Sequence, residues 1–213
     1  MIASNFTNSI TNNIEFSYLG SYEYQKAENL QKDLAALVKQ TKMNAIIGLE
    51  HPAVMTLGYR MQSGVFCIET SAIPVVPSSR GGLVTIHSEG QLVIYPVLDL
   101  RALKWGVKHY VEVLLRTTQK LLTHFNVESF IDEDAVGNYT AHGKIAFCGI
   151  QVRHGISQHG ISLNVRNDLS LFRHIVACGI NNAAMDRLQN YNVNLTLNEI
   201  FTAWVQIFKT ELN

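Results

Sequence analysis

The stretch at residues 80–95, with the sequence RGGLVTIHSEGQLVIY, constrains the fold more than any other part of the chain. It contains two runs rich in β-branched and aromatic residues, at positions 84–86 and 92–95, separated by a Ser-Glu-Gly turn, and such runs favour strands. Gly81 and Gly82 have no Cβ, so their backbone can adopt positive φ and lie close to a ligand. The residues alone leave two interpretations open: an ordinary hairpin with a glycine-rich entry, or a loop that cradles an apolar ligand.

The size and composition of the chain are those of one compact domain. With 213 residues, of which 47% are hydrophobic and 16% are charged, the chain can bury a sizeable core. We therefore expect residues 1–213 to form a single domain. Lysine plus arginine and aspartate plus glutamate number 17 each, so no global field favours nucleic acid or an anionic membrane. We expect neither of them as a partner.

The sequence also predicts a cytoplasmic location. The first residues, MIASNFTNSITNN, lack the basic leader and apolar run of a signal peptide, and no stretch approaches the ~20 apolar residues that cross a bilayer. Cys67, Cys148 and Cys178 are odd in number and widely spaced, which argues against a disulfide framework and for a reducing compartment. Without a CxxC pair or an HExxH motif, we expect no structural zinc site.

The periodicity of apolar residues predicts an α+β fold. Apolar residues at helical spacing predict helices at 22–41, 107–125 and 197–212, the last preceded by a capping box of Thr196 and Glu199. Further strands are predicted at 14–19, 45–49, 53–58, 127–131, 137–140, 145–153 and 156–165, and a long loop at 59–79 with one short strand near Val75. Paired strands without regular βαβ alternation favour a mixed, largely antiparallel sheet packed with helices.

Lys144 and Cys178 are the candidate catalytic residues. Lys144 begins the apolar run KIAFCGI; a lysine there is most often a solvated strand end, but a buried one would have a lowered pKa and could exchange protons near neutrality. A free cysteine is most often a small core residue, and we interpret Cys148, in mid-strand, in this way. Cys178 lies beside Gly179 at a chain reversal, where its thiol can be presented to a substrate.

The glycine-rich stretch resembles a family signature. It is similar to the RGGxxTYHGPGQ signature of the octanoyl-(acyl-carrier-protein):protein transferases of lipoate biosynthesis. The matching positions are Arg80, Gly81, Gly82, Thr85, His87, Gly90 and Gln91. Ile86 replaces a tyrosine, and Ser88-Glu89 replace Gly-Pro. We expect these departures to alter the preference for acyl chain length.

Three further blocks resemble the same family, in the same order along the chain. A G-x-K-I-x-x-x-G block corresponds to Gly143, Lys144, Ile145 and Gly149 in part, and an H-G-x-x-L-N block to His159, Gly160, Leu163 and Asn164. An F-x-x-I-x-P-C-G block corresponds to Phe172, Ile175, Cys178 and Gly179, with Ala177 in place of the proline. Residues 50–58 are similar to an early E-H-P-x-x-x-T-L-G block.

The resemblance implies the fold of the biotin and lipoate protein ligases, and an acyltransferase that needs no cofactor and no metal. It implies that Cys178 carries the octanoyl group as a thioester and that Lys144 moves the protons. The donor would be octanoyl-acyl carrier protein, and the acceptor a lysine of a lipoyl domain of the 2-oxoacid dehydrogenases or of the glycine cleavage H protein. The implied substrate-binding positions are Arg80, Gly81, Gly82, Thr85, His87, Gly90, Gln91, Gly149, His159, Gly160, Asn164 and Gly179.

Several of these residues also have ordinary structural interpretations. His87 and His159 would shape the pocket or orient the lysine–cysteine pair, or they are hydrogen-bonded structural histidines. Arg80 would position the donor's pantetheine arm or hold the loop, or it is a surface arginine.

Three other functions stay open. An ATP-dependent lipoate or biotin ligase would share the fold, but its GGGxVxHD-type loop has a further glycine and an acidic residue where Ser88 follows His87. An amidotransferase would move the acyl group between two lipoyl-domain proteins through a cysteine. A non-catalytic binding module would keep the fold without turnover.

Overall fold

The computed structural model describes residues 14–61, 73–132, 134–175 and 184–212. These residues contain three α-helices: α1 (Tyr24–Thr41), α2 (Val107–His124) and α3 (Leu197–Thr210). They also contain ten β-strands: β1 (Ile14–Ser21), β2 (Asn44–Glu50), β3 (Val54–Leu57), β4 (Val75–Pro77), β5 (Val84–His87), β6 (Gln91–Val97), β7 (Phe130–Asp132), β8 (Gly137–Thr140), β9 (Gly143–Arg153) and β10 (Ile156–Asn164). Short 3₁₀ turns lie at Tyr59–Met61, Leu169–His174 and Leu188–Tyr191.

The strands form two sheets. The larger has seven strands in the order β1-β2-β6-β10-β9-β8-β7, in which β1 and β2 are parallel and the other pairs are antiparallel. The smaller has the order β4-β3-β5, with β4 parallel and β5 antiparallel to β3. The prediction of a mixed, largely antiparallel sheet packed with helices is confirmed.

The interior strand β6 explains why helices cover both faces of the large sheet. Leu92 and Ile94 belong to the main core, which contains residues of α2 and α3, whereas Val93 and Tyr95 pack with residues of α1. Because successive side chains of a strand point to opposite faces, α1 lies on one face of β6 and the other two helices lie on the opposite face. Within the described ranges, no helix is both long and apolar enough to cross a membrane.

The predicted helices and most predicted strands are confirmed to within about two residues, while one strand begins later than predicted. The Thr196 side chain accepts from Glu199 N–H, and the Glu199 carboxylate accepts from Thr196 N–H, which is the predicted capping box. The strand predicted at 127–131 begins only at Phe130. Asn126 adopts φ +58°, and Val127 N–H donates to Leu122 O at 2.9 Å, so these residues close α2 instead of extending the strand.

The hairpin interpretation of residues 80–95 is wrong. β5 pairs with β3 in the small sheet, whereas β6 pairs with β2 and β10 in the large one. The turn between them therefore carries the chain from one sheet to the other. Gly90, at φ +84°, donates its N–H to the Glu50 carboxylate at 2.6 Å, which ties this turn to the end of β2.

Candidate active site

A cavity of about 1010 Å³ is bounded by residues of both sheets. Strand β5 and the loop that precedes it contribute from the small sheet, and β6, β8, β9 and β10 contribute from the large one, together with the 3₁₀ turn Leu169–His174. Nine of the predicted site residues line this cavity: Arg80, Gly81, Gly82, Thr85, His87, Lys144, Gly149, His159 and Gly160. The fold therefore brings together motifs that are far apart in the sequence.

The Lys144 side chain is held at the cavity by backbone carbonyls and aromatic rings. Its Nζ donates to Ala135 O at 2.6 Å and to Val136 O at 3.0 Å. The same nitrogen lies 5.1 Å from the ring centroids of Tyr139 and Phe147. This lysine is half-buried, so the interpretation as a solvated strand end does not apply.

Burial lowers the pKa of Lys144 from an ordinary 10.5 to about 8, although Asp132 and Cys148 act in the opposite direction. A lysine with this pKa is partly neutral at physiological pH and can both accept and return a proton. Strongly perturbed groups in a cavity are candidates for functional residues.

Gly143 lets a returning segment of chain approach Lys144. A Cβ at position 143 would overlap the Ala184 carbonyl and lie 2.8 Å from Met185 N. With glycine there, Lys144 N–H donates to Ala184 O at 2.9 Å, and Asp186 N–H donates to Lys144 O at 3.0 Å. The backbone of Lys144 is thus paired with the segment that follows residues 176–183.

Cys178 and Gly179, which were predicted as the nucleophile and a substrate-binding residue, lie outside the described residues, as does Cys67. The described chain ends before this segment at Ile175 and resumes after it at Ala184, and both of these residues line the cavity. Cys148 also lines the cavity and is only partly buried. Burial raises the pKa of Cys148 to about 12, so its thiol is a poor nucleophile at neutral pH.

Arg80 is a buried residue that holds its loop, not a surface arginine. Its guanidinium donates to Thr56 Oγ1 from Nε at 3.1 Å and from NH2 at 2.8 Å, and NH2 also donates to Thr56 O at 2.7 Å. The loop then crosses β9, where Gly81 N–H donates to Ile150 O at 2.9 Å. Gly149 lies close beneath this crossing, since a Cβ there would lie 3.3 Å from Arg80 Cδ, a tight contact.

His87 and His159 are buried and hydrogen-bonded. His87 Nδ1 lies 2.7 Å from Gln91 Oε1, and His159 Nε2 lies 2.9 Å from Ser79 Oγ. Burial lowers the pKa of both imidazoles, to about 4 for His159 and well below the ordinary value of 6.5 for His87. Both are therefore neutral at pH 7 and are not the group that exchanges protons there. They shape the cavity wall.

Comparison with known proteins identifies the family of this chain. Residues 23–209 match the model of the lipoyl protein ligase A/B catalytic domain. The chain is 43% identical over 142 residues to an octanoyltransferase from Cellvibrio japonicus, which covers 67% of this chain and 66% of the relative. It is 32% identical over 199 residues to an octanoyltransferase from Shewanella loihica, which covers 93% of this chain and 91% of the relative. The chain belongs to the lipoyl protein ligase A/B catalytic domain family.

The fold is also that of a solved lipoate protein ligase. An archaeal bipartite lipoate protein ligase from Thermoplasma acidophilum, studied with its E2 lipoyl domain, superposes with a TM-score of 0.69 at 14% identity, covering 93% of this chain and 84% of that chain. At this identity the match shows the fold alone. The predicted biotin and lipoate protein ligase fold is thereby confirmed.

Three of the predicted site residues, Gly90, Gln91 and Asn164, are not among the residues that line the cavity. Gln91 Nε2 donates to Asn164 Oδ1 at 2.9 Å, and Asn164 Nδ2 donates to Asp186 O at 3.0 Å. Asp186 in turn accepts from Asn190 Nδ2 at 2.7 Å and from Thr140 Oγ1. In this member of the lipoyl protein ligase A/B family, the network joins β6, β10 and β8 to the segment that returns to Lys144.

Several residues that surround Lys144 or the turn that contacts it were not predicted from the sequence. Gly137 makes room for the lysine, because a Cβ there would lie 2.5 Å from Lys144 Cε. Asp132 accepts from Ala135 N–H, and Tyr139 OH donates to Ala135 O, in the turn whose carbonyls accept from the Lys144 amine. Gly137 could have been found from the sequence, because it is a glycine at the start of a predicted strand that precedes the strand of Lys144. Within the described ranges, no cluster of three or more histidine, cysteine, aspartate or glutamate residues could hold a metal.

Proposed function

We propose that this protein is an octanoyltransferase of lipoate biosynthesis, acting as a single domain over residues 1–213. It would take the octanoyl group from acyl carrier protein onto Cys178 and pass it to a lysine of a lipoyl domain. The proposal rests on the family membership and on the identity to octanoyltransferases over most of the chain. The dispersed cysteines support a reducing, cytoplasmic setting.

The observation that carries the chemistry is the position and pKa of Lys144. Its amine lies at the cavity with a pKa of about 8, and the chain on both sides of the segment that bears Cys178 borders the same cavity. A general base with a pKa close to the working pH is efficient in both directions of proton transfer. Lys144 is therefore the base that we assign to Cys178.

In the first step, neutral Lys144 takes the proton of the Cys178 thiol. The thiolate attacks the carbonyl carbon of the donor thioester, a new C–S bond forms, and the C–S bond to the carrier breaks. The leaving thiolate takes the proton back from the Lys144 ammonium. Because one thioester is exchanged for another, the step is nearly isoenergetic and needs no ATP.

In the second step, the lysine amine of the lipoyl domain attacks the acyl-cysteine carbonyl. A C–N bond forms, the C–S bond to Cys178 breaks, and Lys144 carries the amine proton to the departing cysteine sulfur. This step is downhill, since an amide is more stable than a thioester. The backbone N–H groups of Cys178 and Gly179 are the proposed donors to the oxyanion.

The cavity is large enough for the acyl chain and part of the arm that carries it. Its volume of about 1010 Å³ is at the upper end of the range of small-molecule sites, about 300–1,000 Å³. Val84, Val93 and Phe147 provide apolar contacts in its lining. At about 0.8 kcal/mol per buried CH₂ group, an octanoyl chain gains several kcal/mol of binding energy there.

The decisive experiment is mass analysis of the intact protein after mixing with octanoyl-acyl carrier protein without ATP. We expect a mass increase of one octanoyl group that hydroxylamine removes and that Cys178→Ala abolishes. Trypsin separates the three cysteines, placing Cys67 in peptide 61–80, Cys148 in peptide 145–153 and Cys178 in peptide 174–187. The adduct should be on the third peptide, and an adduct on either of the others would refute the assignment.

The same mass analysis with other donors, with and without ATP, distinguishes the competing functions. Modification of a lipoyl domain only with ATP and free octanoate would identify a ligase. Loading from an octanoylated lipoyl domain but not from the carrier protein would identify an amidotransferase. Binding of the lipoyl domain with no covalent adduct under any condition would identify a non-catalytic module.

A further inference from the structure

The turn between β7 and β8 is built around the Lys144 amine. Two of its carbonyls, those of Ala135 and Val136, accept from Lys144 Nζ. A neutral amine has two N–H donors and one lone pair, whereas an ammonium has three donors. Two carbonyls therefore occupy two of the tetrahedral positions on Nζ in either state. The third position is the one that holds the exchangeable proton.

Side chains on either side of this turn hold its backbone. The Asp132 carboxylate accepts from the N–H groups of Asp134 and Ala135, both at 2.9 Å from Oδ1. Tyr139 OH donates to Ala135 O at 2.9 Å, and this is the same oxygen that accepts from Lys144. The turn is thus closed on its N–H side by Asp132 and on its carbonyl side by Tyr139.

We infer that Asp132 and Tyr139 are positioning residues for Lys144, which hold the carbonyls of the turn so that the third hydrogen position of the amine faces the cavity. The inference rests on the proposed function, because it assigns the direction of proton exchange to that reaction. Neither residue needs to contact the substrate. Asp132 also acts on the charge of the lysine, and so it has a second effect that can be measured separately.

Among the described residues, titratable groups on three strands contact the amine or act on its charge. Asp132 is on β7, Tyr139 is on β8, and Cys148 is on β9, four residues after the lysine. Asp134 and Arg173 also line the cavity. Asp132 and Cys148 raise the pKa of Lys144 against the larger effect of burial. Cys148 is itself held protonated at neutral pH, since burial raises its pKa to about 12. Asp132 is therefore the group whose removal should change the titration of the lysine.

Two substitutions at Asp132 separate its two effects. Asp132→Asn keeps an oxygen that can accept from the same N–H groups but removes the charge. We expect the pKa of Lys144 to fall by about half a pH unit, with the maximal kcat within about threefold of the wild type. Asp132→Ala removes the acceptor as well, and we expect kcat to fall at least about tenfold with little change in KM, because orientation is lost.

The Lys144 pKa is measured without any acyl donor, by competitive labelling with trace acetic anhydride across pH and mass spectrometry of the Lys144 peptide. Glu128→Gln is the matched control, because it changes the net charge equally at an exposed site two residues before β7; its Lys144 pKa should equal that of the wild type. Thermal melts exclude unfolding. Tyr139→Phe, which keeps the ring and loses the hydroxyl, should lower kcat about three- to tenfold.

The outcomes separate this inference from the proposed function. Wild-type kcat in folded Asp132→Ala and Tyr139→Phe would overturn the positioning role even if octanoyl transfer is confirmed. An unchanged Lys144 pKa in Asp132→Asn would overturn the effect of Asp132 on the charge of the lysine. Transfer that survives in Lys144→Ala would instead refute the lysine as the base. In that case the labelling pKa would still report whether Asp132 acts on Lys144.

Discussion

Lys144 and Ala184 are joined backbone to backbone, since the N–H of Lys144 donates to the Ala184 carbonyl oxygen at 2.9 Å. Met185 extends this contact as a parallel bridge to Lys144. The proposed base is thereby hydrogen-bonded to the chain that follows Cys178, at Ala184, which is six residues after the cysteine in the sequence. The relationship depends on Gly143, whose φ is +140° and whose missing Cβ leaves room for the Ala184 carbonyl.

We expect Gly143→Ala to destabilise the protein by about 2–4 kcal/mol and to reduce transfer strongly. The new Cβ meets backbone atoms, which cannot rotate away, and the φ value is one that alanine rarely adopts. Chemical denaturation and single-turnover acyl loading measure the two effects. Gly106→Ala is the control, because a Cβ there has no atom within 4 Å and φ is −75°. Equal stability of the two variants would contradict the prediction.

Replacing Lys144 by methionine should stabilise the protein at pH 7 while abolishing transfer. The pKa of Lys144 is about 8 in the folded state and 10.5 ordinarily, so the unfolded chain binds the proton more tightly. The charged lysine therefore destabilises the fold below pH 8, by at most about 3 kcal/mol. The substitution removes this penalty but also loses the two hydrogen bonds to the carbonyls. We therefore expect a net gain in stability of about 2 kcal/mol for Lys144→Met, less than the full penalty.

The stability difference between the wild type and Lys144→Met should depend on pH. As pH rises from about 8 to 10.5, the wild type should gain about 3 kcal/mol of stability, so the advantage of Lys144→Met at pH 7 should disappear and then reverse by about 1 kcal/mol. Urea denaturation at pH 7, 9 and 10.5 measures it. Lys39→Met, at an exposed position of α1, is the control and should show no such change. A Lys144→Met variant less stable than the wild type at pH 7 would count against the burial argument.

The sequence was sufficient to predict the secondary structure where the local spacing of apolar residues determines it. The apolar spacing predicted all three helices, because each buries one stripe against the sheet. The β-branched and aromatic run of β6 and the capping box of Thr196 and Glu199 were also predicted from the local sequence. The failure at residues 80–95 has a tertiary cause: β5 and β6 are both good strands, but neither run encodes which sheet its partners belong to.

The candidate site could be predicted only in part for a similar reason. Motif resemblance found Lys144 and the glycine-rich loop, but not the residues that make the lysine functional. Its pKa depends on burial and on the charges of Asp132 and Cys148, and its amine is held by carbonyls of a turn eight or nine residues earlier. Asp132 and Tyr139 have no signature that distinguishes them from ordinary surface residues before the turn is folded.

Mild acid should unfold the protein through its buried histidines. Burial lowers the pKa of His51 and His159 to about 4, and that of His87 well below 6.5. The unfolded state therefore binds more protons between pH 6.5 and 4, and stability present at pH 7 is lost as pH falls through that window. We expect a loss of about 1–2 kcal/mol per histidine between pH 7 and 5.

Denaturation at pH 7, 6 and 5 measures this loss, and its slope gives the number of protons taken up. His51 offers a specific test, since its Nδ1 lies 2.6 Å from Tyr22 O and its Nε2 lies 2.9 Å from Tyr95 OH. His51→Gln should reduce the slope, whereas His124→Gln, at an exposed position of α2, should not. A flat profile between pH 7 and 5 would show that the buried imidazoles do not control acid stability.

The side chain at position 86 should set the length of acyl chain that the cavity accepts. Ile86 is only 1% exposed and belongs to a cluster with Met55, Ile73 and Phe172. It does not line the cavity, but partly buried members of the same cluster, including Phe147 and Ile175, do. A larger residue at position 86 would push this apolar layer inward, because protein cores have little free volume.

We expect Ile86→Tyr, which introduces the residue usual in the family signature, to favour shorter acyl chains and to cost about 1–3 kcal/mol of stability through overpacking. Loading rates with six-, eight- and ten-carbon donors measure the preference. The double variant Ser88→Gly with Glu89→Pro separates the turn from the core position, since neither residue lines the cavity. If Ile86→Tyr alone and in combination with the turn substitutions leaves the ratio of the three rates unchanged, chain length is selected elsewhere in the cavity.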